Sequence, residues 1–560
     1  MIGDLSIETH LHWGRTIAHY PSSYSEKALF ARLAAPISGT KSEIGRAIAL
    51  DIMEEISMLG GSGSEQHEEA LSRITLPKLE SVLELTCFPR ELGNFAAPKL
   101  IAGCIVLMSS VKPSPFTYEY GYLCFRLLLI ALNTCLLKYG KHLDKTILIM
   151  DRAPLGHQLS AFWHEAAYRV AGEINLGNEI SPGIHNLASL RLWTTPLLGR
   201  PQMDKLLNIL HTDLKYFLAA LRGGNSLGLS GLMYIMWNRL ENEKACLDEV
   251  SYKERLFKPC HRVFSRFRLA TSNFGWEPHV LRYLYHHAGM DNFQEEYIID
   301  VDDSRNIIQA YIDYMESFDI RFKCFDINIL MNIVAPLVAP GCEDLLPTVF
   351  ETSVRVLWDS LSPGMSSHLY FGLVPVLSGI LHVFREILER LKPPGDSDRA
   401  WIIDSIIKED VVDLLIRVLL LLTPQKDDPE GETVAQDVYA LARNFFDMTA
   451  FLPKEYLATR LAESAFCDWW KYLSNFAATC LLEPPGTVFS MSAICSNFLN
   501  NLFSHIWGDG WMRKGLDYQT FEFCRNPRCP DPALAKYTCP GEMGDTFCSV
   551  NCLAFRITSP

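Results

Sequence analysis

The 560-residue chain has no excess of positive charge: 51 Lys and Arg stand against 65 Asp and Glu, a formal net charge of −14. Nonspecific affinity for nucleic acid comes from neutralising phosphates with basic side chains, so no nucleic-acid partner is expected. The N-terminus, Met1-Ile2-Gly3-Asp4-Leu5, lacks a basic stretch followed by an apolar one. No secretory leader is expected, and the protein is read as intracellular, cytoplasmic or nuclear. Long apolar runs free of polar residues are missing too. The best of them, Gly121 to Lys138, contains Arg126 and Asn133 and is expected to be a helix buried in protein rather than a membrane span. There are no convincing alternating strand runs with hairpin turns, and no Gly-rich cradle of the P-loop or dinucleotide kind. With 48% hydrophobic and 21% charged residues, disordered, collagenous and low-complexity classes are excluded as well.

What is present is helical periodicity. Leu206, Leu207, Leu210, Leu214, Phe217, Leu218 and Leu221 fall on one stripe at a period near 3.6, and Arg222-Gly223-Gly224 supplies a basic last turn and a stop. Similar spacing is legible at about 25–36, 68–86, 99–111, 119–138, 226–240, 304–317, 344–360, 367–392, 399–423, 432–449, 454–479 and 488–506. Val411 to Leu422, apolar nearly all round but interrupted by Arg417, reads as a central core helix. Connectors are short and rich in proline, as in Lys112-Pro113-Ser114-Pro115 and Lys392-Pro393-Pro394-Gly395. The expected class is all-α. Residues 1–515 would form a helical scaffold region, either an irregular array of the armadillo or HEAT kind or a large bundle, although no fixed repeat period is visible.

Several apparent catalytic motifs fail on context. Gly224-Asn225-Ser226-Leu227-Gly228 matches G-x-S-x-G, but that chemistry needs a strand before the serine and here an amphipathic helix precedes it. His164-Glu165-Ala166-Ala167-Tyr168 puts Tyr where the second imidazole of H-E-x-x-H must stand, so it is expected to be a packed helix near Trp163. His10 with His12, and His286 with His287, have no Asp, Glu or Cys at a spacing that completes a ligand set. Trp469-Trp470, Phe445, Phe446 and Phe451 are expected to be core.

Cysteine placement is the sharpest feature. Of 16 cysteines, 11 are scattered singly from Cys87 to Cys495, where they read as small buried hydrophobes. The other five, Cys524, Cys529, Cys539, Cys548 and Cys552, follow the spacing C-x4-C-x9-C-x8-C-x3-C. Thiolates gathered in a reduced compartment are what tetrahedral zinc selects, and a short segment with little apolar material needs such a staple to fold. Disulfides and unpaired core cysteines are the competing readings. The odd number, the intracellular setting and the loop-like flanks favour zinc.

This tail, 524–560, resembles the MYND-type zinc finger. In that family's pattern the third cysteine pair follows the second after five residues with an aromatic just before it, and here Cys548 stands six positions after Glu542, preceded by Phe547. The resemblance implies a first zinc site made of Cys524, Cys529, Cys548 and Cys552. Cys539 matches the first member of the second site, but its partner position carries Glu542 and the family's His would fall on Pro560. One zinc ion is therefore expected, with Cys539 the remnant of a second site that is lost or truncated. Leu553 and Ile557 also depart from the family's Gln and Trp. A long helical region with a C-terminal finger is similar in plan to uncharacterised fungal MYND-domain proteins.

The resemblance implies a protein-interaction finger whose partner is a protein or a proline-containing peptide. The SET methyltransferase chemistry of some family members would need a β-rich domain and an Asn-His-Ser-Cys type motif; neither is present, and His185-Asn186 is in the wrong order. Between Cys524 and Pro560 four basic residues face three acidic ones, too small an excess for a phosphate footprint. The expectation is a non-catalytic scaffold or adaptor. An enzyme with an unrecognised site in the helical region and a MYND-type transcriptional regulator are the rivals.

Overall fold

Helical periodicity along nearly the whole chain is matched by a predominantly helical protein. The structure, a computed structural model, describes residues 9–24, 39–60, 71–154, 156–174, 197–223, 228–271, 275–291, 293, 297–316, 323–361, 367–391, 400–421, 431–464, 491–508, 537–538 and 546–547. The chain divides into two compact units, Met1–Phe293 and Gln294–Pro560. The expected helical region 1–515 thus contains the boundary between them.

The first unit opens with a two-residue hairpin, β1 (Thr9–His10) and β2 (Gly14–Arg15), followed by a 3-10 turn at Pro21–Tyr24. Its longer helices among the described residues are α1 (Gly39–Leu59), α2 (Leu76–Leu85), α3 (Pro98–Ser110), α4 (Glu119–Tyr139), α5 (Leu143–Arg152), α6 (Gln158–Glu173), α7 (Arg200–Thr212), α8 (Leu214–Gly223), α9 (Leu229–Lys244), α10 (Lys258–Ala270) and α11 (Glu277–His287). The core helix is α4, packed against α2, α3, α5, α6 and α9. Its most apolar window has a mean hydropathy of 1.6, long and apolar enough to cross a membrane, and is 94% buried inside the protein. Each fully buried Leu or Ile there contributes about 1.5–3 kcal/mol. The α1–α3 contact is close enough to require glycine: a Cβ on Gly103 would lie 1.9 Å from the Ile56 carbonyl oxygen. Helix α1 escaped the periodicity reading because its residues 43–48 are all exposed, Ile44 and Ile48 included, which blurs the apolar stripe.

In this unit two expected helices are broken. The stripe from Leu206 to Leu221 spans both α7 and α8, because Asp213 leaves the helical region at φ −112°, ψ 27°. The stretch 68–86 breaks at Ile74–Thr75, where Thr75 is extended (φ −91°, ψ 164°) and Pro77, in the first turn of α2, has no N–H to continue a preceding helix.

The second unit holds α12 (Val301–Glu316), α13 (Lys323–Val334), α14 (Leu346–Ser360), α15 (Ser367–Leu391), α16 (Ala400–Lys408), α17 (Val411–Leu421), α18 (Gly431–Thr449), α19 (Lys454–Ser464) and α20 (Met491–Trp507). Helix α15 packs on α13, α14, α17 and α18, and α18 packs on α20. The expected core helix is present as α17, with Val411, Leu414, Leu415, Ile416 and Val418 fully buried. Arg417 is carried by an i,i+4 ion pair with Asp413 at 2.5 Å and by the Trp358 ring, 5.4 Å away. The stretch 399–423 is two helices, not one. Asp410 turns to φ +46°, and the freed Glu409 carbonyl accepts from Trp358 Nε1 at 2.7 Å. The unit also contains β3 (Tyr537–Thr538) and β4 (Thr546–Phe547).

Candidate functional site

In the tail, β3 and β4 pair antiparallel, with Tyr537 opposite Phe547 and Thr538 opposite Thr546. In sequence β3 is followed at once by Cys539 and β4 by Cys548. Because the pair is antiparallel, the chain leaves the two strands at opposite ends of the ladder. The expected ligands Cys524, Cys529, Cys548 and Cys552, and the remnant Cys539, lie outside the described residues. Among the described residues, no group of three or more His, Cys, Asp or Glu is arranged to hold a metal ion.

The other sequence motifs have structural surroundings that account for them. The G-x-S-x-G stretch lies between two helices, leaving α8 at Gly223 and starting α9 after Gly228; its residues 224–227 lie outside the described residues. Gly228 takes φ +90°, and a Cβ there would strike the Trp163 ring. His164 and Glu165 sit on α6, where Glu165 is buried and pairs with Arg169 one turn on at 2.5 Å. His10 Nδ1 accepts from the backbone N–H groups of His12 and Trp13 at 3.2 and 3.0 Å, so its side chain closes the β1–β2 turn. His12 lies on Trp13 at a ring separation of 4.2 Å. His286 Nδ1 meets Asp291 Oδ2 at 2.5 Å, a partner the spacing argument did not assign, and His287 lies 3.8 Å from the Tyr283 ring. Phe445 is fully buried, Phe446 and Phe451 are half-buried, and Trp469-Trp470 lies outside the described residues.

Three buried carboxyls in the first unit were not singled out by the sequence. Glu119, at the start of α4, accepts from Arg15 N at 3.0 Å, Arg15 Nε at 3.1 Å and Tyr24 Oη at 2.5 Å, and pairs with Arg15 Nη2. Burial pushes its pKa up, but the hydrogen bonds from Arg15 and Tyr24 outweigh that and hold it below the usual glutamate value. Glu277 accepts from Gly228 N at 3.3 Å, Ser230 N at 3.0 Å and Ser230 Oγ at 3.1 Å, capping the N-terminus of α9 from another helix. Its burial wins over these bonds and raises its pKa. Asp213 Oδ2 accepts from Phe116 N at 3.1 Å and from Ser114 Oγ. Burial raises the Asp213 pKa to about 6. The available signal was an acidic residue set within or at the edge of an apolar helical stripe, as Asp213 and Glu119 are.

A cleft between α4, the α4–α5 connection, α6 and α9 is lined in part by Asn133, His142, Arg169, Glu173 and Tyr234, with a cavity volume of about 20 Å³. That is room for about one water molecule. Burial lowers the His142 pKa, helped by the charge of Arg169, and burial raises that of Glu173. No protein-family model matches the chain, and no curated protein matches it.

Proposed function

We propose that the chain is a zinc-binding, non-catalytic interaction scaffold of the cell interior, with a helical body presenting a C-terminal MYND-type finger. The observation that carries the reading is the clustering of five cysteines at C-x4-C-x9-C-x8-C-x3-C. The β3–β4 ladder supports it, since it lies between the two cysteine pairs that would share the ion: Cys524 and Cys529 precede it, and Cys548 and Cys552 follow. Zinc bound by four thiolates supplies the folding free energy that so short a segment cannot draw from a core.

The non-catalytic part of the proposal draws on the buried carboxyls. Glu119, Glu277 and Asp213 are all engaged in hydrogen bonds that fix helix ends and turns, work that is structural rather than chemical. The helices would then serve as a stacked framework of the armadillo or HEAT kind, and the finger as the surface that takes a protein or proline-containing peptide.

Elemental analysis of the purified full chain tests the reading. One zinc per chain is expected; Cys548→Ser should lower bound zinc several-fold, and Cys539→Ser should leave it nearly unchanged. Metal-free protein, or the reverse ranking of the two variants, would refute the site. Affinity capture with and without residues 524–560 then asks whether partners depend on the finger.

A further inference from the structure

Among the described residues of the second unit, the most exposed large apolar side chain is Ile298, at 102%. It stands beside Ile299 in the segment Tyr297–Asp300, which is neither helix nor strand and leads into α12. Exposure alternates along that segment: Tyr297 and Ile299 are half-buried, Ile298 and Asp300 exposed. A period of two is that of an extended chain. Asp300 fixes where it ends, because its Oδ1 accepts from Asp303 N at 2.8 Å and its carbonyl from Ser304 N at 3.0 Å, the bonds of a helix N-cap.

Two properties of this stretch point to a partner. The first is its main chain. β-Branched residues favour strands, where they pack on a pleated surface, yet among the described residues neither Ile298 nor Ile299 makes a backbone hydrogen bond. Their N–H and C=O groups are offered as those of a sheet edge are. The second is charge. From Tyr283 to Ser304 the chain has no Lys or Arg but six acidic residues, Asp291, Glu295, Glu296, Asp300, Asp302 and Asp303. The next cation, Arg305, is held by Asp344, with Nη1–Oδ1 at 2.7 Å and Nη2–Oδ2 at 2.6 Å. Like charges oppose pairing of this stretch with its own copy, so the fitting occupant is basic. In strand addition the main-chain bonds supply affinity, and alternate side chains entering pockets supply specificity.

We propose that Tyr297–Asp300 is a docking strand, which adds to the open sheet edge of a small, basic-rimmed partner protein of the ubiquitin-like modifier kind. Ile298 enters the apolar groove beside that edge, and the exposed Asp300 and Asp302 face the lysines and arginines of its rim. The segment needs nothing from the cysteine-rich tail, so it stands or falls separately from the zinc reading.

The test is titration of the full chain into an isotopically labelled small ubiquitin-like modifier, one whose exposed edge strand is rimmed by lysine and arginine, followed by nuclear magnetic resonance. Shifts confined to that strand and its groove are expected. Ile298→Ala should weaken binding about tenfold or more. Because the side chain is wholly exposed, the variant should melt as wild type does. Raising the salt from about 50 to about 500 mM should weaken binding several-fold. Absence of saturable binding overturns the proposal, and so does binding that maps elsewhere on the modifier. Ile298→Ala binding as tightly as wild type also overturns it, since the contact would then be one of charge alone.

Discussion

Between residues 98 and 139, α3 and α4 bury most of their side chains, and α4 alone carries an apolar window 94% enclosed by its neighbours. Between 524 and 552 the chain instead gathers five of its 16 cysteines into 29 residues. The contrast teaches two ways of offsetting chain entropy. A long segment can do it through apolar area, at about 25 cal/mol for each Å² removed from water. A segment of some forty residues has too little area, and a metal bound by thiolates is the usual substitute.

That contrast is most directly broken by a chelator. If the proposed staple holds the tail, stripping zinc removes on the order of 10–16 kcal/mol of apparent folding free energy from the finger alone. Far-ultraviolet circular dichroism of the helical body should then remain nearly unchanged while protease begins to cut within 524–560. Loss of the helical signal on chelation would mean that the two regions are not independently held.

The same contrast is sharpened from the other side by Leu128→Ala. Leu128 is fully buried in α4, and its truncation should cost about 2–5 kcal/mol, read as a lower denaturation midpoint with bound zinc unaffected until the body unfolds. A smaller effect is expected from Glu119→Gln, about 1–2 kcal/mol, because Arg15 is 29% exposed and its pairing is partly screened by solvent. The Glu119 shift runs opposite in direction to that of Asp213, whose pKa burial raises. The Glu119 pKa is lowered in the folded protein, so its stabilisation is present above about 4.5 and is lost as pH falls through the folded value. Wild type and Glu119→Gln should converge in Tm on acidification, and a gap that persists at low pH would show that the pair contributes through shape rather than charge.

Most helices were legible because their stripes are long and one-sided. The stretches 304–317, 344–360 and 432–449 appear as α12, α14 and α18 with ends displaced by a few residues. The breaks were not legible. At Asp213 the leucines on either side keep the same phase, and what ends α7 is a carboxyl drawn to Ser114 and Phe116 about a hundred residues upstream. At Asp410 the interruption is accommodated by an indole from α14. For the candidate site the position was reversed: cysteine spacing named the proposed ligands, whereas Glu119, Glu277 and Asp213 looked like ordinary acidic residues until burial gave each of them specific donors.

By itself the sequence determined the helical class, the buried faces of most helices, and the cysteine cluster that carries the proposed zinc site. These depend on local periodicity and on residue chemistry at short range. Tertiary structure alone decided where the chain divides into two units, where the leucine stripe from 206 to 221 is cut, and which carboxyl receives a guanidinium and which is left with neutral donors. The reason is that the cost of burying a charge is set by groups that lie far away in the chain, and no local pattern records which of them will be there.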